Sequence, residues 1–153
     1  MRLKKHYTSR EVASLTGLTA RQLQWWDARR LFKPAVAPHR TEAGGFTERR
    51  YTPVDVLELL ALASLRRQGF TPAVLKQMMD ALAGYFRRRL SETLDEAGDL
   101  RLLTDGHRLF LRTRQGHIFD LLADPTQPLI TSDGLPLKPV TGRAKARRKS
   151  TKR

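Results

Sequence analysis

Two short segments near the start of the chain have apolar residues at helical spacing. The first covers about residues 9–15. The second covers about 20–29, where Leu23 and Trp26, three residues apart, form the apolar side. Two short helices joined by a tight turn are predicted, and this is the arrangement of a helix-turn-helix.

Residues that favour helix ends stand at the borders of both segments. Thr8 and Glu11 have the spacing of a capping box at the start of the first helix. Gly17 can end that helix in the left-handed conformation, and Leu18 is expected to point inward. Thr19 is a favourable N-cap for the second helix.

The next stretch, over residues 34–52, has no helical periodicity and contains Gly44 and Gly45. We predict a β-hairpin, called the wing below, in which Phe46 and Tyr51 pack the strands.

Two longer helices are predicted after the hairpin, because Thr52-Pro53 and Thr71-Pro72 each place a capping threonine before a proline at the first helical position. Gly69 is expected to end the first of them. The predicted core-facing residues are Val54, Leu57, Leu60, Ala61 and Leu65, and then Val74, Leu75, Met78 and Met79.

A connecting or dimerisation helix is expected over residues 83–98. Phe86, Leu90 and Leu94 lie four apart and could form a short apolar seam. Gly84 either separates this segment from the preceding helix or only weakens one continuous helix.

From about residue 99 the spacing becomes that of strands. Three apolar runs between about 100 and 122 are separated by Asp105-Gly106 and Gln115-Gly116, which predicts a small antiparallel β-meander within 99–137. Residues 138–153 contain Val140 as their one large apolar residue and are expected to be disordered.

The net charge of +14 is unevenly distributed. Residues 1–53 have eleven Lys/Arg and four Asp/Glu (+7), and residues 138–153 have eight and none (+8). Residues 54–99 have six and seven (−1), and residues 100–137 have four and four. Charge on the helix-turn-helix and on the tail indicates a polyanionic partner such as DNA. A basic surface kept for solubility would explain the excess but not its segregation.

Several classes of protein are not expected. The chain has no cysteine, which excludes disulfides and thiolate metal sites. Its most apolar window, Val54–Leu65, is too short to span a bilayer, and the basic start lacks a secretory apolar stretch. We therefore expect a soluble cytoplasmic protein with no membrane partner.

The sequence gives little support for an enzyme or for a bound cofactor. There is no nucleophile-elbow motif and no phosphate-cradling glycine loop, so neither an enzyme nor a cofactor is expected. His107 and His117 could share a mixed metal site with nearby aspartates, but turn and strand-edge positions explain them more simply. Two interpretations of Phe110 and Phe119 are compatible with the sequence, namely a small apolar ligand pocket or the core of the sheet.

The outward side of the second helix carries groups suited to the major groove. Arg21 can bind guanine bidentately, and Gln22 or Gln24 can bind adenine, although a solvated helix face is the alternative. Trp25 points about 100° away from Trp26. It either brings its indole near a phosphate or joins a core shared with the wing.

The wing offers arginines for the DNA backbone. Alternation puts Arg49 and Tyr51 on one face of a strand and Arg50 on the other, and we favour phosphate contact by Arg49 over a solvated charge run. Arg29 could add a further contact with the DNA backbone. The predicted DNA-binding residues are Thr19, Arg21, Gln22, Gln24, Trp25, Arg29, Arg40, Arg49 and Tyr51.

The order and spacing of these parts over residues 7–82 resemble the DNA-binding domain of MerR-family transcription regulators. The resemblance is carried by Thr8-Ser9-Arg10-Glu11-Val12-Ala13, by Thr16-Gly17-Leu18-Thr19-Ala20-Arg21 and by Arg49-Arg50-Tyr51. It implies a winged helix-turn-helix, a homodimer and a pseudo-palindromic promoter site that is bent so that RNA polymerase can engage it. Double-stranded DNA and RNA polymerase are the partners so implied.

The chain departs from this family pattern at three places. The Arg-Tyr-Tyr common in the second helix is Gln24-Trp25-Trp26, which alters the expected phosphate contacts. A glycine common after that helix is Arg30, which predicts an altered or strained turn. The long dimer helix of the family is replaced by the short segment over 83–98, so the meander could replace or supplement it.

The expected fold is a mainly α winged helix-turn-helix over 1–82, the connecting helix over 83–98, the β-meander over 99–137, serving dimerisation or ligand binding, and a disordered basic tail over 138–153. The expected function is that of a transcription regulator binding an inverted-repeat promoter site as a homodimer, associated with the nucleoid. One alternative is a DNA-architectural or excisionase-like recombination accessory protein. Another is a general nucleic-acid binder driven by the tail.

Overall fold

The structure is a computed structural model that describes residues 5–40, 47–129 and 134–142, with only the backbone at 36–40 and 47–48. In chain order its elements are β1 (Tyr7–Thr8), α1 (Ser9–Thr16), α2 (Ala20–Ala28), β2 (Val36–Arg40), β3 (Thr47–Tyr51), α3 (Pro53–Arg67), α4 (Pro72–Ala81), a π-helical turn (Leu82–Phe86), a 3-10 turn (Leu90–Thr93), β4 (Leu100–Thr104), β5 (Leu109–Thr113), β6 (Ile118–Asp120) and β7 (Lys138–Pro139).

The described residues form two compact units, 5–63 and 64–142, and α3 runs from the first into the second. Within the described ranges, no helix has the length and apolar character needed to cross a membrane.

The first unit begins with two short helices that are capped as predicted. The Thr8 hydroxyl accepts from the Glu11 amide at 3.2 Å, and the Glu11 carboxylate accepts from the Thr8 amide at 2.9 Å. Gly17 ends α1 with a φ of 82°, and its amide donates to the Ala13 carbonyl at 2.9 Å. Leu18 is buried between the two helices, as expected.

α2 ends in a Schellman turn whose left-handed residue is Arg30. The Arg30 amide donates to the Asp27 carbonyl at 3.1 Å, and the Leu31 amide donates to the Trp26 carbonyl at 2.9 Å. Arg30 has a φ of 62°, where its Cβ is strained and glycine is favoured. The strained turn predicted from the arginine at this position is confirmed.

Replacing Arg30 with glycine should raise the free energy of unfolding by about 0.5–1 kcal/mol, because it relieves a positive φ without removing either hydrogen bond of the turn. Urea denaturation followed by circular dichroism measures the change. Arg29→Gly is the matched control, since Arg29 has a φ of −93° and gains no relief. Similar shifts in both variants would show that strain at Arg30 is not the cause.

The predicted hairpin is present between α2 and α3. β2 and β3 pair antiparallel with Val36 opposite Arg50, and a bulge follows Val36 along β2. β1 pairs with the other edge of β3, where Tyr7 lies opposite Tyr51, so the strand order is β1-β3-β2. Phe46, predicted to pack these strands, lies outside the described residues.

α3 begins at Thr52-Pro53 as predicted, and its first turn is held by a buried carboxylate. Asp55 is 0% exposed, and its Oδ2 accepts from the Ala35 amide at 2.8 Å and from the Thr52 amide at 3.0 Å. The Thr52 hydroxyl accepts from the Asp55 amide at 3.1 Å. Asp55 thus joins the loop after α2 to the start of α3.

The predicted apolar face of α3 is partly wrong. Val54 and Leu57 are exposed, whereas Val56 and Leu59 are buried. The hydrogen bond between Asp55 and the Ala35 amide turns this side of α3 inward. Residues at helical spacing from Asp55 therefore face inward as well. In the first unit the buried apolar residues of α3 are Val56, Leu59, Ala61, Leu62 and Ala63.

The second unit starts with the end of α3 and with α4, both as predicted. Gly69 has a φ of 108°, and the Thr71 hydroxyl accepts from the Val74 amide at 3.2 Å at the start of α4. Leu75 and Met78 are fully buried.

The helix predicted over 83–98 is not formed. α4 passes into the π-helical turn, and Arg87 then takes a φ of 56° in the left-handed region. The Arg88 amide donates to the Leu82 carbonyl at 3.0 Å and closes that turn. The 3-10 turn is the remaining helical element of the segment.

Packing within the second unit explains why this segment is not a continuous helix. Leu90 is 1% exposed, and the Phe86 ring packs edge-on against Phe119 with centroids 5.2 Å apart. Two of the residues expected to form an exposed seam therefore make contacts within the unit, and burial of Leu90 stabilises this arrangement.

The predicted meander is confirmed and gains a fourth strand. The sheet has the order β6-β5-β4-β7, with all pairs antiparallel. Lys138 and Pro139 form β7, and Val140 is buried with its amide donating to the Leu102 carbonyl at 3.0 Å. The predicted start of the disordered tail at residue 138 is therefore wrong, because 138–142 cover the free edge of β4. Residues 143–153 lie outside the described part of the chain.

Phe110 belongs to the core of this sheet and does not line a ligand pocket. It is 0% exposed and clusters with Leu103 and Ile118, while Leu135 and Leu137 pack on the same cluster. Of the two interpretations of this aromatic residue, the structure supports the core.

Candidate nucleic-acid interface

The two sides of α2 differ sharply in burial. Leu23 and Trp26 are each 2% exposed, whereas Trp25 is 52% exposed. Arg21 and Gln24 are also exposed. The prediction that Trp26 is core and Trp25 lies outside is confirmed, and the alternative that both rings share one core is wrong.

The exposed side of α2 carries a basic and aromatic stripe. Arg21, Trp25 and Arg29 follow one another at four-residue spacing, which places them on one face. The Arg29 guanidinium carbon lies 4.1 Å from the Trp25 ring centroid, a cation–π contact. Thr19, Arg21, Gln22 and Trp25 line a surface hollow of about 300 Å³ at the start of the helix.

Gln22 is engaged in the helix cap, a role that was not predicted for it. Its side-chain oxygen accepts from the Thr19 amide at 2.9 Å, and the Thr19 hydroxyl accepts from the Gln22 amide at 2.9 Å. Bidentate binding of adenine would need that same amide oxygen. Gln24 is exposed and makes no side-chain hydrogen bond within the described ranges, so it is the better placed glutamine.

Arg49 is linked to α2 by an ion pair. Its Nε donates to Asp27 Oδ2 at 2.7 Å, and the two side chains are 26% and 15% exposed. The pair joins β3 to α2 across 22 positions of sequence. No local pattern predicts a contact of this range, so the pair was not expected from the sequence.

Tyr51 was predicted to contact DNA, and the structure contradicts this. It is 1% exposed; burial raises the pKa of its phenol, and a hydrogen bond with Ser9 opposes that shift. Tyr51 and Arg49 share a face of β3, as alternation predicts, but that face turns toward Ser9 of α1 and Asp27 of α2. Tyr51 therefore anchors the strand.

The structure describes the side chains of some of the remaining arginines near this surface but not of all of them. Arg29 is exposed at the end of α2, and Arg50, on the opposite face of β3 from Arg49, is half-buried. The side chain of Arg40 lies outside the described residues. Within the described ranges, no group of three or more His, Asp or Glu side chains is arranged to hold a metal ion.

The first two helices lie within a match to a known protein family. The family described as MerR HTH family regulatory protein matches residues 7–82. No curated protein sequence matches the chain. A solved structure of a transcriptional regulator of the MerR family from Bacillus cereus shares 27% identity, covering 48% of this chain and 50% of that one, with a TM-score of 0.39. The chain thus spans about half the length of that protein. Through residues 7–82, the chain belongs to the MerR family of helix-turn-helix DNA-binding transcription regulators.

Proposed function

We propose that the chain binds a specific double-stranded DNA site by placing α2 in the major groove. The observation that carries this proposal is the division of α2 into two sides. Leu23 and Trp26 hold the helix from behind, and the opposite side leaves Arg21 and Gln24 exposed. A helix held in this way can present its polar side to base edges.

The exposed residues of α2 have distinct roles in this proposal. Arg21, in the first turn, binds guanine through two parallel hydrogen bonds, and Gln24 binds adenine. Arg29 and Trp25 lie further along the same stripe and contact the phosphate backbone. Their stacking limits the motion of the Arg29 guanidinium before DNA arrives.

The β2–β3 hairpin acts as the wing in this proposal. Asp27 holds the Nε of Arg49, and no second carboxylate contacts that guanidinium among the described residues. Its remaining N–H groups are available for a phosphate beside the groove. Arg40 is included in this contact on the basis of the sequence alone.

We further propose that the chain binds an inverted-repeat promoter site as a homodimer, in the cytoplasm with the nucleoid, and acts there with RNA polymerase. The resemblance of residues 7–82 to the family supports this assembly. Because 83–98 does not form a long helix, another surface of the chain must pair the two copies. Sedimentation equilibrium should give twice the monomer mass of 17.5 kDa.

Arg21→Ala should relax the preference for one base pair in each half-site by about 1–3 kcal/mol, because one bidentate base contact is lost. Affinities are measured at fixed salt for a site selected from random duplexes and for its single-base variants. Arg10→Ala, which removes an exposed arginine of α1, is the control and should affect all sequences alike. If Arg21→Ala also weakens every sequence equally, Arg21 does not recognise a base.

The alternatives of an accessory protein and of a tail-driven binder give different results in the same selection. Removing 143–153 deletes seven Lys/Arg and leaves β7 intact. The truncated chain should bind less tightly, with a shallower salt dependence, but keep its site preference. Loss of preference would favour tail-driven binding, and selection of single asymmetric sites would favour the accessory protein.

A further inference from the structure

Three arginines of the second unit line one open cleft beside the β4–β5 pair. They are Arg101 of β4, and Arg112 and Arg114 at the end of β5. The cleft has a volume of about 340 Å³, and Thr113, Pro139 and the loop over residues 96–99 complete its lining.

The strand register brings the three charges together. Arg101 lies directly opposite Arg112 in the antiparallel pair, and Arg114 lies in the turn directly after β5 and lines the same cleft. Like charges that face each other across two strands are destabilising. Their juxtaposition therefore costs free energy unless a negative charge joins them.

Backbone carbonyls orient two of these guanidinium groups. Arg101 Nη1 donates to the Leu94 carbonyl at 2.6 Å, and Arg114 Nη2 donates to the Ala97 carbonyl at 3.3 Å. Arg101 is only 8% exposed. Carbonyls fix the direction of the guanidinium but supply no counter-charge, and a buried charge without one is unfavourable.

The acidic residues of the lining do not neutralise the cleft. Asp99 is paired with Arg88, with Nη2 and Oδ2 3.1 Å apart. Glu96 makes no ion pair among the described residues, and none of the three cleft arginines has a carboxylate partner there. With Asp99 committed to Arg88, three positive charges face the single negative charge of Glu96, which leaves +2.

We propose that this cleft binds a small polyanion bearing a phosphate or several carboxylates, whose negative charges neutralise Arg101, Arg112 and Arg114. Guanidinium groups bind the planar edges of such anions through paired hydrogen bonds. The volume suits a compact molecule. This site lies wholly within the second unit and is independent of the proposed DNA contacts, so either proposal can fail alone.

Titration calorimetry of the full chain, at constant ionic strength, tests the proposal with pyrophosphate and with citrate as probes. One of the two should bind saturably with a stoichiometry of one per chain, and the stronger probe identifies phosphate or carboxylate as the preferred group. Absence of saturable binding of both up to millimolar concentrations would overturn the proposal.

Variants at the cleft separate specific binding from general attraction. Arg112 is exposed, so Arg112→Gln should leave the fold intact and weaken the preferred probe at least about tenfold. Glu96→Gln should strengthen binding, because it removes the one repelling carboxylate. Lys76→Gln on α4, an equal loss of charge outside the cleft lining, should leave the affinity unchanged. Equal effects of Arg112→Gln and Lys76→Gln would refute a cleft site.

A nucleic-acid phosphate is the competing occupant, and DNA binding distinguishes it. Under the proposal, Arg112→Gln leaves the affinity for duplex DNA and its salt dependence unchanged. If that variant instead lowers DNA affinity and reduces the salt slope by about one, the cleft contacts the DNA backbone and the small-anion proposal is wrong.

Discussion

Trp26→Ala is expected to lower the free energy of unfolding by about 3–5 kcal/mol, because it empties the volume of a large ring that is 2% exposed. The backbone carbonyl of Trp26 accepts from the Leu31 amide in the turn that ends α2. This hydrogen bond holds the backbone in place, so the surrounding structure cannot easily collapse into the cavity. Domains of this size are commonly stable by only about 5–15 kcal/mol. A large fraction of the stability therefore depends on one side chain behind the exposed side of α2, and urea denaturation at fixed temperature measures it.

The neighbouring tryptophan provides the matched control for this experiment. Trp25→Ala removes an identical ring that is 52% exposed and stacked on Arg29, so its effect on stability should stay within about 1 kcal/mol. Under the proposed function, the same variant weakens DNA binding while the chain remains folded. Comparable losses of stability in both variants would contradict the assignment of Trp26 alone to the core.

Asp55→Ala is expected to lower the free energy of unfolding by about 3 kcal/mol. The substitution leaves the partly buried amides of Ala35 and Thr52 without their shared acceptor, the fully buried Asp55 carboxylate, and each unsatisfied donor costs about 1–3 kcal/mol. Chemical denaturation of the full chain measures this loss directly.

Two milder variants test the physical cause of that loss. Asp55→Asn keeps an oxygen acceptor at the same place, so it should cost clearly less than the alanine variant. Thr52→Ala removes one capping hydrogen bond at the start of α3 and should cost about 1 kcal/mol. If Asp55→Ala proved no more harmful than Thr52→Ala, the link from Asp55 to Ala35 would contribute nothing.

The helix ends of the first unit could be predicted because their causes are local. The capping residues Thr8 and Thr19 each act on a residue three positions away. The strain at Arg30 was expected from the family resemblance, because glycine is common at this position and backbone sterics favour it there. Short-range hydrogen bonding and backbone sterics decide such features, and both are visible in a few consecutive letters.

The errors arose where distant contacts overrode local patterns. The face of α3 was misjudged because the rotation of the helix depends on Asp55 and the Ala35 amide, 20 positions away. The segment over 83–98 has helical spacing, but its own unit buries Leu90 and packs the Phe86 ring against Phe119 of the sheet. β7 was missed because only two residues pair, far along the chain from β4.

In the candidate site, too, features with local causes were predicted and features with distant causes were not. The opposite placement of Trp25 and Trp26 follows from the geometry of one helix, and it was predicted. The burial of Tyr51 and the partner of Arg49 depend on which way a strand faces two helices, and alternation alone cannot give that direction.

The double attachment of β3 limits how the first unit can adapt to a target. Arg49 is tied to α2 through Asp27, and Tyr51 is tied to α1 through Ser9. Under the proposed function, the hairpin and the two helices therefore approach a duplex as one rigid unit with a fixed spacing. Under the proposed function, differences in groove width between targets are accommodated by distortion of the nucleic acid, so its flexibility becomes part of target choice.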